Sequence, residues 1–124
     1  MTICKANYER DKYSFGFINT AILVANSAVM LIDPVNNRQG IVIFNVNLIV
    51  SGAATNGSFA LIASNNTPAQ INDGTPVCAG IIFASVTSIV NFERNIFIPP
   101  NKGLFLYPNA NSAATVLQGL YIIL

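Results

Sequence analysis

The segment IVIFNVNLIV, residues 41–50, has an apolar side chain at every even position: Val42, Phe44, Val46, Leu48 and Val50. Apolar residues recur at odd positions Ile41, Ile43 and Ile49. Period two with β-branched residues describes a strand rather than a helix, with the even face fully buried and the odd face buried in part. DPVNNRQG (33–40) leads into it and SGAATNG (51–57) leads out, both rich in residues that adopt turn conformations. Whatever fold the chain adopts must house this strand.

Short apolar runs separated by turn chemistry recur roughly every 8–12 residues, the spacing of an all-β sandwich or barrel. Asn56-Gly57 leads into Phe59–Ala63, and residues 65–76 read as a loop with a turn at Asp73-Gly74. Residues 80–92 fit either one bulged strand or two strands. Asn95–Ile98 reads as a short strand halted by Pro99-Pro100, since proline cannot donate to a ladder. PPNKG (99–103) then feeds Leu104–Tyr107, and Thr115–Leu124 is the last strand. In Thr20–Leu31, Ala, Leu and Met suit a helix, whereas Asn26-Ser27 suits a turn. The strand-rich surroundings favour two short strands there. The reading is a single antiparallel two-sheet β-sandwich of about eight strands, jelly-roll or Greek-key, over residues 13–124. The polar residues 1–12 precede it as an extended arm.

Composition narrows the chemistry. The 124 residues include no His, which removes Ser-His-Asp and Cys-His catalysis and His-ligated zinc. Charged residues are 9%, against roughly 25% in an ordinary soluble domain, and sixteen asparagines take much of the polar load. A net charge of +1, with Arg38, Arg94 and Lys102 standing alone, argues against a nucleic-acid partner. Asp33, Asp73 and Glu93 sit at turns and strand junctions, where a carboxylate serves turn formation rather than acid–base chemistry. No run of carboxylates matches a calcium loop, no Gly-rich loop a phosphate site, and no cofactor is expected. Cys4 and Cys78 form no CxxC and read as free thiols.

Residues 13–32 are uncharged and long enough to span a bilayer. Ser14, Asn19, Thr20, Asn26 and Ser27 interrupt them, and other uncharged stretches are as long, so a membrane span is not the expectation. Glu9 and Asp11 speak against a signal peptide.

Several strands have apolar residues on a second face: Ile41, Ile43 and Ile49; Ile81, Phe83 and Ile89; Tyr121 and Ile123. Each such side chain left in water forgoes about 1.5–3 kcal/mol of burial. One small sandwich has one interior, so these residues are expected to meet partner subunits.

The stretch NNRQGIVIFN (36–45) resembles a pattern in small structural proteins of bacteriophage particles. The ending NIFIPPNKGLFLYPNANSAATVLQGLYIIL (95–124) is similar to the closing strands of small viral jelly rolls. The resemblance implies a non-enzymatic minor capsid, vertex or decoration protein, located in the virion and binding other shell proteins. The expected form is a symmetric homo-oligomer, trimer or pentamer. Lys5, Arg10 and Lys12 of the arm would contact a neighbouring shell protein, and loops 34–40, 64–76 and 99–103 would face outward or contact the next protein. The alternative is a host-receptor or glycan-binding module on the same fold, for which Tyr107 beside Pro108 is the aromatic on offer.

Overall fold

A computed structural model of the chain describes residues 12–124. Among them lie eight strands: β1 (Lys12–Ala21), β2 (Val29–Ile32), β3 (Ile41–Ser51), β4 (Gly57–Ser64), β5 (Thr75–Ile82), β6 (Ser88–Ile98), β7 (Gly103–Pro108) and β8 (Ala114–Ile123). The strands form two four-stranded sheets, ordered β1-β8-β3-β6 and β2-β7-β4-β5. Every pairing is antiparallel, and the pairs nest: β1 with β8, β2 with β7, β3 with β6, β4 with β5. A chain that pairs its ends first and its middle last is one long hairpin wrapped over itself, which is a jelly roll.

Local chemistry explains the breaks. The stretch Thr20–Leu31 is two strands, parted by a turn in which Asn26 takes φ 59°, a left-handed conformation that Asn tolerates. Residues 80–92 also divide in two, at a turn where Ser85 has φ 63°. Asn95–Ile98 is not a separate strand but the end of β6.

The asparagines stand where charges are missing. Asn37 is fully buried. Its Nδ2 donates to the carbonyls of Pro99 (2.7 Å) and Lys102 (2.8 Å), while its Oδ1 accepts from the Gly40 N–H (2.8 Å). It thereby ties loop 34–40 to loop 99–103. Asn56, Asn109 and Asn111 likewise accept backbone N–H groups of Ala84, Ser58 and Ala25. A neutral amide meets both donors and acceptors of exposed turns without carrying a charge inward.

The core lies between the two sheets, and β3 enters it with a change of phase. Ile41 and Ile43 are 0% exposed, as are their neighbours in the core, Leu48 and Leu61. The expected subunit-facing role of Ile41 and Ile43 is therefore corrected: both are sealed inside the protomer. The reason is a bulge. Between Ile43 and Val46 strand β3 advances three residues, while β8 advances two (Tyr121 to Gly119) and β6 advances four (Ile96 to Phe92). The odd step exchanges faces, so odd residues point inward before it and even residues after it. Tyr121, the cross-strand partner of Ile43, lies half-buried against the same core, which corrects its assignment to the outer face. Ile123 follows on that side and emerges at the strand end.

Two other strands are buried on both faces, β4 and β7. Phe59, Leu61, Ala63, Leu104 and Leu106 face the main core. Ala60, Ile62 and Tyr107 form a second cluster on the far side of that sheet. Loop 65–74 covers it: Pro68 is buried, Gly74 rests on Ile62, and the Tyr107 hydroxyl donates to the Ala69 carbonyl at 3.1 Å. The Asp73 carboxylate accepts the N–H groups of Ala69 and Gln70, both at 2.9 Å, and closes the loop on itself. Most of the loop is exposed, and its inner side caps the cluster. It satisfies within one protomer part of the apolar surplus.

Candidate assembly surface

Among the described residues nothing covers the outer face of the β1-β8-β3-β6 sheet in this way, and the ladder registers place its side chains in rows. At one end Ile49 stands between Ile89 of β6 and Val116 of β8. Ile89 is 72% exposed and Ile49 41%. At the other end Val42 stands between Phe97 of β6 and Ile122 of β8, with Lys12 of β1 completing the row. Between these apolar rows runs an amide row, Asn47 flanked by Asn91 and Gln118, all exposed. Asn45 and Glu93 pair beside it. The local cause is the bulge in β3, which turns Val42 and Phe44 outward together with Asn47 and Ile49.

The predicted residues are thus divided. Ile49 lies on this face; Ile41 and Ile43 lie beneath it, and Tyr121 points to the core. Ile81 and Phe83 are exposed at the end of β5 and just after it, away from the Ile49 row in the pairing order. Ile123 is exposed at the sheet end with Leu124 and Val35, around an open cavity of about 410 Å³ that Arg38 also lines. Lys12 is not part of an arm: it begins β1, pairs with Ile122, and sets its ammonium 5.6 Å from the Phe44 ring centroid. Lys5 and Arg10 lie outside the described residues. Sequence reasoning missed Val42, Phe97 and Ile122, because they take the outer face only once the bulge is known. Exposed Ile18, Ile22 and Val24 at the end of β1 were also missed. Reading residues 88–98 as one strand would have placed Phe97 on the same side as Ile89.

Three of the four sheet edges are poor templates for strand addition. Strand β2 has four residues, β5 has Pro76, and β6 has Glu93 and Arg94 beside its bulge. Short edges, proline and charge are the devices that block edge pairing, which leaves the ten-residue edge of β1 and the sheet faces for association.

The polar groups serve the fold. Asp33 accepts the Val35 N–H at 3.0 Å and caps the 3-10 turn Pro34–Asn36. Asp73 closes its loop, and among the described residues no three His, Cys, Asp or Glu side chains come together to hold a metal. Burial pushes the Cys78 thiol up to about 11, with Arg94 and a backbone hydrogen bond opposing, so the nucleophilic thiolate is disfavoured. Tyr121 is raised by burial and by Tyr13, whose ring lies 5.4 Å away centroid to centroid. Tyr107, the aromatic expected to be exposed for a glycan, is buried under loop 65–74. Among the described residues no helix is long and apolar enough to cross a membrane.

No protein-family model matches the chain, and no curated protein matches it. Among solved structures it is similar to the tobacco streak virus coat protein, at 8% identity and a TM-score of 0.43, covering 90% of this chain and 84% of that one. It is also similar to a structure of Bacillus endospore appendages, described as disulfide-linked pili: 13% identity, TM-score 0.40, 92% and 86% covered. A structure of infectious bursal disease virus Gx strain follows at 12% identity and 0.36, covering 90% of this chain but 29% of that one. At these scores the likeness assigns no role to this chain.

Proposed function

We propose that this protein is a non-enzymatic structural subunit of a virus particle, a capsid-associated minor, decoration or vertex protein that works by assembly. The observation that carries the reading is the outer face of the β1-β8-β3-β6 sheet, on which Ile49, Ile89 and Phe97 stand exposed with no described residue covering them, whereas loop 65–74 covers Ala60, Ile62 and Tyr107 of the other sheet. Leaving side chains of this size wet forgoes about 1.5–3 kcal/mol each, an arrangement that makes physical sense where a partner covers them. The two stretches that resemble small viral structural proteins contribute the virion part of the reading: residues 36–45 lead into β3, and residues 95–124 include β7 and β8. The glycan-binding alternative has lost its residue, Tyr107, to the interior.

Light scattering on the purified chain at two concentrations tests the assembly claim. A defined oligomer that persists on dilution supports it. A soluble monomer at both concentrations overturns it.

A further inference from the structure

We infer that Asn56 is a self-modifying site: in the folded protein its side-chain amide closes on the Gly57 nitrogen, loses ammonia and becomes aspartate or isoaspartate, with no enzyme taking part. The inference is independent of assembly. Three observations meet at this one residue.

The first is the neighbour. Of the sixteen asparagines, Asn56 alone precedes a glycine. With no Cβ on the following residue, its nitrogen can approach Cγ of Asn56 and the backbone can turn to present it.

The second is the amide oxygen. Asn56 Oδ1 accepts the Ala84 N–H at 2.8 Å. Attack on Cγ drives charge onto this oxygen, and a fixed backbone N–H stabilises charge that develops there. Asn109 and Asn111 hold the N–H groups of Ser58 and Ala25 in the same way, but they precede alanine and serine.

The third is position. Asn56 is exposed and lies outside the strands. Gly57 opens β4 as the end rung of the β4–β5 ladder, opposite Ile82. End rungs open at little cost, which frees the Gly57 nitrogen for attack.

The reaction needs only water. The Gly57 nitrogen bonds to Cγ, the Cγ–Nδ2 bond breaks, and Nδ2 leaves as ammonia with the proton of the Gly57 N–H. Water then opens the cyclic imide. Addition at Cγ gives aspartate; addition at the main-chain carbonyl carbon gives isoaspartate, whose main chain runs through Cβ. Either product adds a carboxylate and takes the formal net charge from +1 to 0. Aspartate keeps an acceptor for the Ala84 N–H. Isoaspartate lengthens the chain where Gly57 has no room, since a Cβ there would lie 2.6 Å from both Ala110 Cβ and Asn109 Oδ1.

The test ages the purified chain at mildly alkaline pH, with circular dichroism to confirm folding. Mass spectrometry with fragmentation that tells aspartate from isoaspartate then locates the change. The samples are wild type, wild type unfolded in guanidinium chloride, and Asn56→Gln. In folded wild type, Asn56 should convert about tenfold or more faster than Asn109 and Asn111, and faster still as the pH rises. An acidic form should appear on isoelectric focusing, level with Asn56→Asp, and be absent from Asn56→Gln over the same time. Asn56 that stays intact in the folded chain, whether or not it converts in the unfolded one, overturns the inference, because the ladder then locks the Gly57 nitrogen. Conversion of Asn109 or Asn111 at the rate of Asn56 overturns it as well.

Discussion

Phe15 lies across Gly119. The two are partners in the β1–β8 ladder, and a Cβ on residue 119 would overlap the phenyl ring. The glycine leaves the space that the aromatic fills, and the ring in turn shields backbone that has no side chain of its own. Gly119→Ala is expected to destabilise the protein by about 1–3 kcal/mol through overpacking. Combining it with Phe15→Leu should recover part of that loss. Urea unfolding of the two single variants and the double variant measures the coupling.

Asn37 is the polar tie between loops 34–40 and 99–103. Truncation to Ala strands the buried Gly40 N–H and the half-buried Lys102 carbonyl, and leaves the Pro99 carbonyl with only the Lys102 N–H. Each of the two stranded groups costs about 1–3 kcal/mol, so a total loss of about 2 kcal/mol or more is expected in chemical denaturation. Asn37→Asp should fare no better, because it replaces two donated bonds with a buried acceptor.

The change of phase in β3 separates two isoleucines six positions apart. Ile43→Ala is expected to cost about 2–5 kcal/mol as a core cavity. Ile49→Ala, on the open face, should cost under about 1 kcal/mol of protomer stability. Equal losses at the two sites would contradict the bulge.

Burial raises the Cys78 thiol from its ordinary value of 9.0 to about 11. Below pH 9 the thiol is neutral in both folded and unfolded chains, and its contribution to stability is complete. As the pH rises from 9 towards 11 the unfolded chain loses the proton first, so stability falls. Tyr121, also raised, acts in the same direction at higher pH. Unfolding midpoints from pH 8 to 11 should decline for wild type, and less steeply for Cys78→Ala.

Loop 65–74 is held over the second apolar cluster by Asp73 and Tyr107. Asp73→Ala removes the acceptor for two backbone N–H groups, and Tyr107→Phe removes the bond to Ala69. Both variants should be nicked faster within residues 65–74 by limited proteolysis, while the global unfolding midpoint moves little. Cleavage at the wild-type rate would show that these bonds do not govern opening of the loop.

Much of the architecture is written in local chemistry. Period-two apolar runs mark strands whatever surrounds them, and Asn26-Ser27, Asn56-Gly57 and Pro99-Pro100 mark where strands stop, because φ preferences and missing donors act within a few residues. The lack of histidine is equally independent of the fold, and it removes whole classes of chemistry by itself. Side-chain facing is a different matter. Alternation alone assigned Ile41 and Ile43 to the surface, but one bulge, whose place depends on how β3 meets β6 and β8 at once, reversed them and turned Val42 outward with Phe97. Cover is also non-local. Nothing in the residues of β4 and β7 says that a loop ten residues long will fold back over them, whereas among the described residues nothing folds back over Ile49 and Ile89. Strand identity follows from each residue and its near neighbours; which apolar face stays open follows from register and from the path of distant chain, and those exist only once the sheets have formed.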